Sequence, residues 1–415
     1  SGQIISMVSI GFVYFCSVIK NNYELQNDGT MKNILSKRTF IVLPLFLFSL
    51  HPLWGQKSNF KNDICIPGKL YMLSDIRNDV FVEALIKRWR PYNDFVRFSG
   101  DCVYSRKLNR VASVDTPVDG SNMKIELVNS DEFEIIKEKA ISICVGKKGI
   151  GTQEVTVQIL GDSFVNGAFF RDALLSKNYI PGIKLVGLRN IKNEEGQYDE
   201  GRGGWTVKKY FEIPKGEMTS YHGYMQPVGE YRYWGSCEFW KNCYKVINGE
   251  LTDTEIVYNC GRYDQCITKF DKETGYLAAP KKNDLMYDNA RGSYMVYTGK
   301  KWKNVEVDER KWAFNYRKYL DMWNLDAPKF FAQMLGLNDY RDSLTADYRE
   351  WNKKIAEMKE SYYKAVPDGK FIILIPCTTC GSLNNIRGDF TLRQNAAMWQ
   401  LRKNIIDTFD GRESE

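Results

Sequence analysis

Two patterns of hydrophobic and polar positions divide the chain. From Gln56 to about Gly151, apolar residues fall in short, partly alternating runs. These are Lys69-Leu70-Tyr71-Met72-Leu73, Asp94-Phe95-Val96-Arg97-Phe98, Met123-Lys124-Ile125-Glu126-Leu127 and Ala140-Ile141-Ser142-Ile143-Cys144-Val145. Pro, Gly, Asn and Asp punctuate them, as between strands. Short strands at this spacing predict a β-sandwich. Gly146 to Gly151 then reads as a linker.

After Thr152 the pattern changes. Glu154-Val155-Thr156-Val157-Gln158-Ile159-Leu160, Ile183 to Leu188, Phe330 to Leu335 and Phe371 to Ile375 are nearly continuous apolar runs. Phe164 to Leu175, Ser343 to Val366 and Phe390 to Phe409 carry helical spacing. Buried-type strands alternating with helices predict a parallel sheet covered on both faces. Between about Phe211 and Asp308 this alternation stops. The segment is rich in Tyr, Trp, Gly and Asn and is too long for a plain loop, so it reads as an inserted subdomain or lid.

The N-terminal text adds a compartment. Met31 is followed by Lys32, Lys37 and Arg38, then by an apolar run from Thr39 to Leu50 and by Gly55-Gln56. A basic stretch, an apolar block of about twelve residues and a small residue match a secretory signal, too short to span a bilayer. The expected organisation is therefore an upstream segment at 1–30 outside the mature protein, a signal peptide at 31–55, a sandwich at 56–150 and an α/β domain at 151–415. Localisation would be secreted or periplasmic, with no stable membrane insertion of the mature protein.

Composition changes little else. The net charge of +7 is spread along 415 residues, without the clustered basic stripe of a nucleic-acid binder. The chain has ten cysteines; Cys16 falls outside the expected mature protein, and export makes the others candidates for disulfides. Cys237 and Cys243 are spaced like Cys260 and Cys266, which suits disulfides in the insertion better than a four-cysteine zinc site. Cys377-x-x-Cys380 is followed by loop-like text rather than a helix, against a redox motif. Aromatic residues make up 14% of the chain. Tyr221, Tyr224, Tyr231, Tyr233, Trp234, Phe239 and Trp240 crowd the insertion, where they could stack on sugar rings or form a small core beneath a lid.

Chemistry is expected beyond the carboxyl ends of parallel strands. The first strand of the α/β region ends in Gly161-Asp162-Ser163. The second leads to Glu200-Gly201-Arg202-Gly203-Gly204-Trp205-Thr206, and the third ends in Gly336-Leu337-Asn338-Asp339. A serine in a tight strand-to-helix turn exposes its hydroxyl. Amides and an asparagine nearby could stabilise an oxyanion.

In this order, each after an apolar strand, these motifs resemble the first three blocks of the SGNH/GDSL hydrolases, the GDSL-like lipases and acylhydrolases. The Glu200 to Thr206 run is similar to that of carbohydrate-esterase-like members. A sandwich ahead of the hydrolase also resembles exported members from gut-type bacteria. The resemblance covers about Glu154 to the end. It implies a three-layer α/β/α, flavodoxin-like domain acting through a serine acyl-enzyme, with no cofactor and no metal. It implies Ser163 as nucleophile, and the Ser163 amide, the Gly204 amide and the Asn338 side chain as oxyanion hole. Gly161, Asp162, Gly336 and Asp339 would support them. The expected partner is an acylated carbohydrate or another ester.

The departure is in the base. The family's last block is Asp-x-x-His, and this sequence has two histidines. His51 lies in the signal segment, and His222, in the insertion, has no Asp three residues before it. The expectation is that the block follows Glu415 and that residues 1–415 alone are nearly inactive. The competing expectation is a non-catalytic glycan-binding protein on the same scaffold. Asp-x-x-His in the coding sequence beyond Glu415 would decide for the enzyme.

Overall fold

The computed structural model describes residues 63–410 apart from 75, 88–93, 102, 107–110, 130–131, 147–153, 168, 177–181, 190–197, 217–220, 251–266 and 377–391. The signal segment, the residues before it, His51, most of the expected linker, and Cys260, Cys266, Cys377 and Cys380 lie outside the described residues.

The N-terminal part holds β1 (Lys69–Leu73), β2 (Asn78–Phe81), α1 (Val82–Leu85), β3 (Asp94–Gly100), β4 (Val103–Arg106), β5 (Val111–Val114), β6 (Asn122–Asn129) and β7 (Ile135–Gly146). They form two sheets, ordered β1-β7-β6-β3 and β2-β5-β4. One core joins them. Alternate residues of the larger sheet, among them Leu70, Met72, Val96, Ile125, Leu127 and Ile143, pack with Val80, Ala112 and Val114 of the smaller. Strand β2 escapes the hydrophobic pattern because it opens with Asn78 and Asp79. Both are buried and satisfied. The Asn78 amide donates to the carbonyls of Leu73, Ile76 and Val114, and Ser113 Oγ donates to Asp79 at 2.6 Å. Hydrogen bonds to these buried polar groups offset their desolvation cost, so the strand can tolerate them.

The second part is mixed α/β around a parallel sheet. Strand β8 (Val155–Gly161) runs into α2 (Ser163–Asn166) and α3 (Phe169–Ser176). Next come β9 (Ile183–Val186) and β10 (Glu200–Gly201). Both lie on one side of β8, β9 along its first half and β10 at its end, where Gly201 pairs with Gly161. After the aromatic segment the chain returns as β17 (Phe330–Met334) on the other side of β8, with β18 (Lys370–Ile373) beyond it. Strand order thus reverses at β8, and the carboxyl ends of β8 and β17 flank a topological switch point.

Period-two alternation sends the two faces into different cores. Val157, Ile159, Phe330, Ala332 and Met334 pack with Val165 of α2 and with Phe81 and Val111 from the N-terminal sheet. Leu160, Phe331 and Leu335 face the second core, which α5 (Tyr316–Trp323), α7 (Arg349–Ala365) and α8 (Leu392–Phe409) help to build. Gly68 N–H donates to Asp410 at 3.0 Å and Trp399 Nε1 to Leu85 O at 2.7 Å, so α8 also holds the N-terminal part. Among the described residues no helix is long and apolar enough to cross a membrane.

Several boundaries move. The helix expected over Phe164 to Leu175 is broken after Asn166, where Gly167 takes φ −71°, ψ 0°. The helix expected from Ser343 starts at Arg349, after Asp347 has captured the Arg349 N–H.

The segment from Phe211 has its own sheet, β12 (Arg232–Ser236), β13 (Asp284–Asp288), β14 (Ser293–Tyr297) and β15 (Trp302–Val305), with α4 (Cys237–Ile247) beside it. Pairing continues past Asp308, since β11 (Met225–Pro227) is antiparallel to β16 (Trp312–Phe314). For six of the seven rings weighed for sugar stacking the structure favours a core, and Tyr231 is half-buried. Tyr221, Tyr224, Tyr233, Trp234, Phe239 and Trp240 are buried, and they share one core with Tyr316, Phe331 and Tyr362 of the α/β body. Tyr224, for example, stacks on Tyr319 at 4.3 Å and on Phe314 at 4.8 Å. The disulfide expectation is corrected at Cys237, which is a free, buried thiol that burial pushes up to about 12.

Candidate active site

The turn after β8 is built by its own side chains. Asp162 is the N-cap of α2 and accepts the Phe164 N–H at 3.0 Å. Ser163 is then the first helical residue, and it is half-buried. Among the described residues no side chain hydrogen-bonds its Oγ. A serine in this position is accessible but not activated.

The glycine loop meets this turn through the backbone. Arg202 N–H donates to Gly161 O at 2.9 Å. Trp205 N–H then donates to Arg202 O at 3.3 Å, closing a four-residue turn. Gly204 is its third residue, with φ +72°, the left-handed conformation that such a turn requires. Gly203 is buried and Gly204 exposed, so the Gly204 amide is the one nearer to solvent. Among the described residues it has no acceptor.

The third segment follows β17. Met334 is in register with Gly161, so the two strands end side by side. Gly336 takes φ +118°, and a Cβ there would lie 2.7 Å from Leu401 Cδ2 of α8. It therefore turns the chain into α6 (Leu337–Tyr340) in a left-handed conformation that strains any residue with a Cβ. Asn338 Nδ2 donates to Trp205 O at 3.0 Å. The Asp339 carboxylate accepts the Val207 N–H with both oxygens, at 3.1 and 3.2 Å. Asn338 and Asp339 thus clasp the far end of the glycine loop. An amide nitrogen has two protons, so Asn338 keeps one for a ligand.

The acids of this site are perturbed. Burial pushes the Asp162 carboxyl up to about 7, against the hydrogen bond from Phe164 N–H and with help from the Asp339 charge. Burial likewise lifts Asp339 to about 6, against the Val207 N–H. The sign follows from proton binding. Between pH 4 and 7 the folded protein holds protons that the unfolded chain has lost, so these groups lower stability as pH rises through that window. Asp162→Asn keeps the cap, since Asn is as good an N-cap as Asp. It should therefore flatten the decline. The urea midpoint of Asp162→Asn should exceed wild type at pH 8 and match it near pH 4. Parallel pH curves for the two proteins would refute this assignment.

His222 is not available as a base. Its Nδ1 accepts the Tyr224 N–H at 3.2 Å, so its Nε2 carries the proton and donates to Glu212 O at 3.0 Å. Burial first, and then the Arg202 charge, push its pKa down to about 3. Both ring nitrogens are used by backbone. His222→Gln should cost about 1–3 kcal/mol of stability, the price of an unmet buried partner. It should leave the pH–rate profile of ester hydrolysis unmoved; loss of its acidic limb would give His222 a catalytic role.

Beneath the loop lies a buried ionic network that sequence reasoning passed over. Glu200 is fully buried. Its carboxylate accepts from Leu188 N–H at 2.7 Å, Tyr319 Oη at 2.6 Å and Arg202 Nη1 at 2.8 Å. The Arg202 guanidinium also donates to Tyr221 O at 3.0 Å and lies 5.1 Å from the Trp205 ring centroid. The signal was in the Glu200-x-Arg202 pair. Polar letters around glycines read as loop, however, and only burial reveals an ion pair. Among the described residues no group of His, Cys, Asp and Glu could hold a metal ion. Comparison with protein-family models, with curated proteins and with solved structures finds no match for this chain.

Proposed function

We propose that this protein is a secreted serine ester hydrolase of the SGNH type, built on a three-layer α/β/α domain behind an N-terminal β-sandwich. One observation carries the reading. The Ser163 turn, the Gly204 turn and Asn338 converge where the strand order reverses, and hydrogen bonds join each to the next. Open parallel sheets bind ligands at such a point.

In the proposed reaction, Ser163 Oγ attacks the ester carbonyl carbon and gives its proton to a general base, which then protonates the leaving alcohol. The Ser163 and Gly204 amides and Asn338 Nδ2 donate to the oxyanion. The alcohol leaves with the proton, and water then hydrolyses the acyl-enzyme. His222 is not that base, since backbone groups use both of its ring nitrogens. The proposed substrate is an acyl group, acetyl foremost, on carbohydrate. The likeness of the Glu200 to Thr206 run supports this choice, and the buried aromatic rings do not.

Incubating the full-length gene product with acetylated xylan and measuring free acetate tests the reading. Acetate release that tracks enzyme concentration is expected. Retention on the polysaccharide in affinity electrophoresis without acetate release would instead favour the non-catalytic glycan-binding protein.

A further inference from the structure

We propose that the Tyr210 hydroxyl is a positioning group that sets the spacing between the nucleophile turn and the oxyanion loop. The inference rests on the hydrolase reading above. Tyr210 follows the glycine loop in a short 3-10 turn, Lys208–Phe211, and is fully buried. Its Oη lies 2.8 Å from Gly161 O and 2.8 Å from Glu200 O. Those carbonyls belong to neighbouring strands, β8 and β10, at the point where Gly161 pairs with Gly201. One hydroxyl proton is thus shared across the seam from which Ser163 and Gly204 both spring.

The ring is held as firmly as the hydroxyl. Tyr210 meets Trp205 edge-on at 4.8 Å, and the Arg202 guanidinium lies 5.6 Å from its centroid. Trp205 is the last residue of the turn that contains Gly204, and its carbonyl is the one Asn338 holds. The same side chain therefore touches both flanks of the oxyanion loop. Oxyanion donors act only if they sit at hydrogen-bonding distance from where charge develops. Small displacements of positioned groups can cost about 100-fold in rate.

Removing the hydroxyl should not unfold the protein. Gly161 O keeps Arg202 N–H at 2.9 Å, and Glu200 O keeps Arg202 Nη1 at 3.3 Å. Tyr210→Phe leaves neither carbonyl without a donor, so a rate effect can be separated from a folding effect.

The test compares Tyr210→Phe with wild type in the full-length gene product, with 4-nitrophenyl acetate as substrate. Expected is a kcat lowered about 10- to 100-fold, with KM within about twofold and a melting temperature within a few degrees. Hydrogen exchange of the peptide carrying residues 199–207 should be faster in the variant. A Tyr210→Phe kcat equal to that of a wild type whose activity requires Ser163 would overturn the proposal while leaving the hydrolase reading intact. If wild type shows no Ser163-dependent turnover, the hydrolase reading falls, and this assignment of Tyr210 falls with it. Equal exchange in the two proteins would overturn the positioning role of Tyr210 whatever the activity.

Discussion

Ser163→Ala in the full-length gene product should lower turnover of 4-nitrophenyl acetate by about 10⁴- to 10⁶-fold, the loss seen when a serine nucleophile is removed. The hydroxyl makes no hydrogen bond within the described residues. The variant should therefore keep the wild-type melting temperature, and its inactivity will not reflect misfolding. The turn itself survives because it depends on Asp162, whose carboxylate holds the Phe164 N–H. Residual rate would come from the oxyanion donors and from binding, which persist without the nucleophile. Kinetics with wild type and Ser163→Ala at matched concentrations check this. A variant within tenfold of wild type would mean that the chemistry lies elsewhere.

The second large effect is on stability. Arg202→Ala should destabilise the fold by about 3–5 kcal/mol, the cost of stranding a buried charge. Glu200 would keep the Leu188 N–H and the Tyr319 hydroxyl but lose the Arg202 guanidinium, at 2.8 Å. The Arg202 side chain is 1% exposed, so solvent cannot replace it. Adding Glu200→Gln to Arg202→Ala removes the stranded charge and should recover part of the loss, since both hydrogen bonds go to Oε1, which an amide oxygen can replace. Urea unfolding of the single and double variants measures both steps. A loss under about 1 kcal/mol for Arg202→Ala would place the pair with exposed ion pairs rather than buried ones.

The sequence is most readable where one physical signal dominates. Val155 to Gly161 and Phe330 to Met334 are nearly continuous apolar runs, largely buried, and both are strands of the parallel sheet. The Gly161-Asp162-Ser163 turn was visible because a glycine and a capping acid bound it. The order of these motifs placed Gly204 and Asn338 near the serine, and the hydrogen bonds to Gly161 O and Trp205 O join the three segments.

Other features were hidden because a residue type does not report its own burial. The rings of Tyr221, Tyr224 and Trp240 could serve a sugar or a core equally well, and packing against Tyr319, Trp323 and Phe270 decides for the core. Glu200 and Arg202 read as solvated loop, although both are buried. Tyr210 carried no pattern at all. It lies nearly fifty residues from Gly161, and only the pairing of β10 with β8 brings its hydroxyl to that carbonyl.

The most direct test of the account is active-site labelling. The full-length gene product is incubated with a fluorophosphonate, digested, and mapped by mass spectrometry. The account predicts loss of ester hydrolysis in step with one phosphonyl adduct on Ser163. Hydrolysis abolished by an adduct on another residue, or hydrolysis that persists with Ser163 fully labelled, would contradict it.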